Sequence, residues 1–119
     1  MFVDDFTRVK HMLTLANDLQ FYVKNRTRAD LDKDRTFSLV VIKTVETLGE
    51  AASKITRNFR NKYPKLPWLD MIDMRNRLIH DYYAYDYDDI WLFAINKIPP
   101  IIPRLEAILL KETNDDKID

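Results

Sequence analysis

The chain contains no cysteine and only one glycine, Gly49. The first absence excludes a disulfide framework and a thiolate metal site. The second, with only five prolines in 119 residues, leaves too few turn residues for a many-stranded sheet. It points to long helices with short connections. With two histidines, His11 and His80, the chain also lacks the usual ligand set of a zinc centre, so no metal and no cofactor are expected. No apolar run reaches the ~18 residues of a membrane span. The start, MFVDDFTRVK, places acids before its first base and has no apolar core, so it does not read as a signal peptide. A cytoplasmic protein with no membrane partner is the expectation. An excess of one charge is missing too, since 19 Lys and Arg balance 19 Asp and Glu. A dedicated nucleic-acid binder is more often basic. The charge is nevertheless sorted along the chain. Lys54, Arg57, Arg60, Lys62 and Lys65 lie in a stretch without acids, while Asp81, Asp86, Asp88 and Asp89 crowd another.

The length suits one domain with one core. Residues 1–111 read as a single helical domain and 112–119 as a polar tail that frays. The fold class is all-α, an up-and-down bundle of four to five helices. Asp4 or Asp5 caps a first helix, which carries Phe6, Val9, Leu13, Ala16, Leu19 and Val23 on one face and runs to about Asn25. Thr27 to Asp34 reads as a connection. Phe37, Val41, Thr44, Leu48, Ala51, Ile55 and Phe59 give a second helix of about six turns, whose seam suits the core or a partner subunit. Gly49 in its middle costs about 1 kcal/mol relative to alanine; a close helix–helix approach explains it. Glu46 and Glu50 lie one turn apart, either as a solvated pair or with one of them orienting an active-site base.

Pro67 suits the first turn of a third helix, anchored in the core by Trp68. Asp86 or Asp88 caps a fourth. Pro99, Pro100 and Pro103 should kink or split the last helix near Pro99-Pro100. Tyr82, Tyr83, Tyr85 and Tyr87 offer faces for base stacking. For the last three, closing a helix junction and lining an interface is the simpler role. His11 falls outside any motif and reads as a surface or boundary residue.

The stretch that carries chemistry is Met74 to Tyr83, MRNRLIHDYY. Arg75 supplies a permanent cation shaped for phosphate. His80 trades protons near neutral pH. Tyr82 adds a hydroxyl and a flat face. Together they suit work on a phosphodiester. Residues five apart stand about 140° apart around a helix. Arg75 and His80 therefore share a face only if the helix ends near Ile79 and the chain turns back. Otherwise the site is completed from elsewhere, most economically by a second copy. Cleaving a phosphodiester by proton transfer needs both a base and an acid, and one chain offers one histidine in this stretch.

Arg75-x4-His80-x-Tyr82 resembles the signature of the HEPN superfamily, and within it the HepT-like toxins. VETLGEAASKI (Val45 to Ile55), YPKLPWLDMIDMRNRLIHDYY (Tyr63 to Tyr83) and LEAIL (Leu105 to Leu109) fall in that family's order and spacing, over about residues 3 to 111. The resemblance implies a HEPN-like bundle and a homodimeric endoribonuclease with its cleft at the subunit interface. His80 would be the general acid/base and Arg75 would hold the scissile phosphate. Asn76 would hydrogen-bond the RNA or the turn. Arg77 would contact phosphate or form a surface salt bridge. It further implies the toxin of a type VII-like toxin–antitoxin system. The substrate would be RNA, by family analogy tRNA, and the partner an MntA-like nucleotidyltransferase antitoxin that transfers AMP to Tyr82. An adenylylated Tyr82 would place negative phosphate beside Arg75 and His80 and repel RNA. Two other readings compete. One is a non-catalytic, nucleotide-binding regulatory subunit of a nucleotidyltransferase complex. The other is a bare dimerisation module, against which the intact motif speaks.

Overall fold

Among the described residues four side-chain caps punctuate the chain. The Asp4 carboxylate accepts from the Thr7 N–H at 2.7 Å, Asp34 from Phe37 at 3.0 Å, Thr56 from Phe59 at 3.3 Å and Asp86 from Asp89 at 3.1 Å. Each satisfies a backbone donor that a helix start leaves open. The elements they open are α1 (Asp5–Val23), α3 (Arg35–Lys54), α4 (Arg57–Lys62) and α6 (Tyr87–Leu92). A short α2 (Asp30–Lys33) precedes α3, α5 spans Trp68–His80, and α7 spans Ile98–Lys117. The structure, a computed structural model, describes residues 3–117, and every regular element among them is a helix.

The expected all-α up-and-down bundle is present. Its radius of gyration, 15.0 Å, exceeds the about 13.5 Å of a compact chain this long, because the bundle extends 53 Å along its axis. Met12 and Leu19 of α1, Leu48 of α3, Met71 and Met74 of α5, and Ile98 and Leu105 of α7 meet in one buried core.

Three boundaries differ from the sequence reading. The first helix ends at Val23 rather than near Asn25: Lys24 already leaves helical geometry with ψ 130°, and Asn25 takes a left-handed conformation with φ 61°. Asparagine tolerates that conformation better than most residues. The connection Thr27 to Asp34 contains the single turn α2, which buries Leu31. The long second helix stops at Lys54, so Phe59 belongs to α4. Ile55 is extended there, and Thr56 donates its N–H (2.9 Å) and its hydroxyl (2.7 Å) to the Asp5 carboxylate. That long-range clasp holds the corner between α3 and α4 against the start of α1.

The expected interruption near Pro99-Pro100 takes the form of a π-helical segment, Phe93–Lys97, fused between α6 and α7. A proline ring crowds the carbonyl four residues earlier and offers no N–H to it. Ile95 and Asn96 are the carbonyls affected, and both lie in the widened segment, where the Ile98 N–H reaches back five residues to Phe93. Pro103 is accommodated inside α7. That helix runs through Lys117, into the stretch expected to fray, and Glu112 within it accepts hydrogen bonds from Lys62 at 2.8 Å and from the Tyr63 hydroxyl. Residues 118 and 119 of the expected tail lie outside the described residues. Among the described residues no helix is long and apolar enough to cross a membrane.

Candidate active site

Helix α5 carries the motif, and its buried face fixes the motif's orientation. Trp68 is buried, and its ring N–H donates to the Tyr63 carbonyl at 2.9 Å, as expected of a core anchor. Met71, Met74 and Leu78 follow at helical spacing and are buried. Gly49 of α3 lies against this helix. A β-carbon at Gly49 would stand 2.5 Å from the Met71 carbonyl oxygen and would run into the Arg75 β-carbon. The close approach inferred for Gly49 is therefore real, and Arg75 is one of the residues that need it.

Released over Gly49, the Arg75 side chain reaches the next residue of α3. Its Nη2 lies 2.5 Å from Glu50 Oε2, and its Nη1 donates to Asn76 Oδ1 at 2.9 Å. Its Nε is buried with no hydrogen-bond partner among the described residues. Glu50 also lies 3.3 Å from Lys54 Nζ. Burial by itself would raise the Glu50 pKa. The hydrogen bond from Lys54 and the charge of Arg75 outweigh it and hold the carboxyl below its usual range. Arg75, Asn76, Glu50 and Lys54 thus form one connected polar group, with Arg75 about 70% buried since its side chain is 29% exposed.

His80 does not join that group. Helix α5 runs through His80, one residue past Ile79, so His80 itself is still helical, and Asp81 closes the helix with an N–H bonded to the Arg77 carbonyl at 2.8 Å. The rise from Arg75 to His80 is about 7.5 Å, with a turn of about 140°. His80 is exposed at the end of the helix. Tyr82 follows in the turn, 71% exposed, with its ring edge-on to Tyr83 at 5.9 Å. Tyr85 and Tyr87 stack at 6.4 Å and pack against the core, whereas Tyr83 is exposed. Arg77 points elsewhere again. It pairs with Asp89 of α6 and contacts Met74 Sδ at 3.8 Å. Asn76 and Arg77 also line a groove of 630 Å³ with Asp70, Asp73 and Asp89. Three carboxylates make that groove a poor place for phosphate.

Of the two acids that sequence pattern singled out, Glu46 pairs with Lys43 at 3.7 Å. Glu50 pairs with Arg75 and Lys54, not with a base. The available signal was Gly49 itself: a residue that admits a second helix places its neighbour Glu50 beside that helix. His11 is exposed, as expected. Among the described residues no group of three or more His, Asp or Glu side chains could hold a metal ion.

The description "Ribonuclease HepT-like" matches residues 12–108, which include Glu50 and the whole of Arg75 to Tyr82. The chain belongs to the HepT-like ribonuclease family. It is 32% identical over 114 residues to an RNase of Methanocaldococcus jannaschii, covering 96% of this chain and 88% of that protein. It is also 32% identical over 104 residues to an RNase of Caldanaerobacter subterraneus subsp. tengcongensis, covering 87% and 93%. A ribonuclease HepT of Thermococcus cleftensis is 32% identical over 75 residues, covering 63% of this chain and 68% of that protein. In all three names the activity is given provisionally. No solved structure matches the chain with significance. At the family level the bundle is a ribonuclease scaffold, and the matched stretch includes α5 and the Gly49-Glu50 step of α3.

Proposed function

We propose that two copies of this chain form a metal-independent endoribonuclease, the toxin of a type VII-like toxin–antitoxin pair, with RNA (by family analogy tRNA) as its substrate. The observation that carries the reading is the separation of Arg75 from His80 on one unbroken helix. One chain holds the cation toward α3 and leaves the imidazole exposed at the helix end. A two-fold dimer supplies two of each to a shared cleft. Leu39 and Ile79, 47% and 39% exposed, together with Tyr83 are apolar side chains for such an interface.

In that cleft one His80 takes the proton from the ribose 2′-OH. The 2′-oxygen attacks phosphorus and the bond to the 5′-oxygen breaks. The second His80 protonates the leaving 5′-oxygen. The products are a 2′,3′-cyclic phosphate and a 5′-hydroxyl. Arg75 stabilises the charge that builds on the phosphoryl oxygens. Asn76 steadies the Arg75 guanidinium, and Glu50 holds it in place from α3.

Regulation follows from Tyr82. Its exposed hydroxyl is open to a nucleotidyltransferase antitoxin. The phenolic oxygen would attack the α-phosphorus of ATP, releasing pyrophosphate and leaving AMP on Tyr82. A Tyr82→Phe variant should accept no AMP from that partner; an equal transfer would remove the assignment.

The competing reading, a nucleotide-binding regulatory subunit, draws on one observation, that Glu50 already neutralises Arg75. Incubating the AMP-free protein with total tRNA in EDTA separates the two. Cleavage leaving 2′,3′-cyclic ends, lost in His80→Ala, supports the ribonuclease. No cleavage, with ATP bound instead, supports the regulatory subunit.

A further inference from the structure

Charge on this neutral chain is sorted in space as well as in sequence. No acid occurs between Glu50 and Asp70. Two grooves, each of 320 Å³, adjoin within this region and share Pro64. Arg57 and Arg60 line one, together with Asn61 and Leu69. Lys62, Lys65, Arg104 and Lys111 line the other, over a floor that includes Leu66 and Ile108. Among the described residues no carboxylate lines either groove. The groove beside Asn76 is the contrast: it holds three carboxylates, and its two cations are bound by Asp89 and Asp70.

Among the described residues most of the cations here have no counter-charge. Lys62 is bound to Glu112 at 2.8 Å and to Asp115 at 3.7 Å. Arg104 donates to the Lys65 carbonyl at 2.8 Å, a neutral partner. Arg57, Arg60 and Lys65 form no ion pair among the described residues, and the Arg60 Nε is buried there without an acceptor. Keeping several like charges side by side without counter-charges is unfavourable, and an anion relieves it.

Along the chain the patch lies close to the Arg75 group. Lys54, 3.3 Å from Glu50, lies three residues before Arg57, the first residue of α4. Leu69 of the first groove lies six residues before Arg75 on α5, about 9 Å of helix axis.

We infer that the surface formed by α4 and its two flanking grooves is a track for the phosphate backbone of single-stranded RNA flanking the bond held at Arg75. The inference rests on the ribonuclease reading for its choice of ligand. An acidic protein is the other occupant such charge could attract. A protein interface, however, needs exposed apolar anchors at its centre. Leu69 is the large exposed one here, while Tyr82, Tyr83, Leu92 and Phe21 are exposed elsewhere. Cations over a shallow groove fit a polyphosphate strand better.

The test uses His80→Ala protein, so that RNA is bound without being cut. Affinity for a fluorescent 12-nucleotide RNA is read by anisotropy from about 50 to 200 mM salt. Arg57→Ala with Lys65→Ala removes two exposed cations, and Lys10→Ala with Lys33→Ala serves as a control of equal charge elsewhere. Losing two phosphate contacts should flatten the salt slope by about 1.4, at 0.7 per contact, and weaken binding about tenfold at the low-salt end. The control should change neither. A second variant, Arg60→Ala, should act in the same direction, and thermal melts separate its effect from unfolding.

An unchanged slope and affinity in Arg57→Ala/Lys65→Ala overturns the track, as does absence of RNA binding in the parent. So does a variant that keeps RNA affinity but no longer binds polyglutamate, which would mark an acidic-protein surface. Cleavage by the wild-type chain is read separately. RNA bound on the track but never cut would remove the ribonuclease reading and leave the track. RNA cut with the track variants unaffected would do the reverse.

Discussion

Glu50 Oε2 and Arg75 Nη2 meet at 2.5 Å because the residue beside Glu50 has no side chain. Gly49 lets α5 approach until the Met71 carbonyl and the Arg75 β-carbon occupy the space a methyl group would need. The position of Arg75 is therefore built on a packing detail of the core.

Gly49→Ala should destabilise the fold, against the propensity rule. In an open mid-helix position the change would stabilise by about 1 kcal/mol. Here the added carbon meets backbone 2.5 Å away, which cannot rotate aside. Overpacking costs about 1–3 kcal/mol, so the urea midpoint should fall. A midpoint that rises would mean that the two helices stand farther apart.

Glu50→Gln should keep the fold and lose activity. The variant retains a side chain of the same shape but removes the charge that holds Arg75. Misplacement of a positioning group costs on the order of ten- to a hundredfold. The loss should fall on kcat with KM little changed, because RNA binding draws on other contacts. Unaltered kcat would reduce Glu50 to a surface ion pair.

The two motif-region arginines should separate sharply. Arg75→Ala removes the cation assigned to the phosphoryl oxygens and should cost on the order of a hundredfold or more in cleavage. Arg77 is committed to Asp89 in a half-exposed pair. Arg77→Ala should cost less than about 1 kcal/mol of stability and leave cleavage nearly intact. Equal losses from the two would return Arg77 to the phosphate.

The contact between Tyr63 and Glu112 should be visible at both ends of the pH scale. Burial and the hydrogen bond to Glu112 push the Tyr63 hydroxyl up to about 12 from 10.0. A raised pKa gives stability that is full below the unfolded value and is lost as pH rises toward 12. Burial opposes ionisation of Glu112, yet hydrogen bonds from Lys62 and Tyr63 keep its pKa below 4.5. A depressed pKa gives stability that is full above the unfolded value and is lost as pH falls through the folded one. Tyr63→Phe should remove the alkaline loss, and Glu112→Gln should reduce the acid one, in melts taken across pH. Unchanged profiles would mean that this contact does not form in solution.

Much of the bundle was legible because it is local. Periodicity located the helices, and Asp4 and Asp86 announced their starts. The glycine announced a close approach. The Pro99-Pro100 pair announced an interruption, though not its π-helical form, because missing N–H groups do not say how the ladder will open around them. The break at Ile55 was hidden, since Phe59 keeps the phase of the preceding helix. Its cause, Asp5 clasping Thr56, lies 51 residues away in sequence. The motif named Arg75 and His80 but not Glu50 as the arginine's partner, since that pairing depends on how two helices meet.

The measurement that bears most directly on the central claim is specific activity against protein concentration, with dimer content followed in the same samples by sedimentation. If a second chain completes the site, activity per chain rises in step with the dimer fraction. Ile79→Asp should then lower both together. Full activity per chain at concentrations where the protein is monomeric would contradict a site shared between two copies.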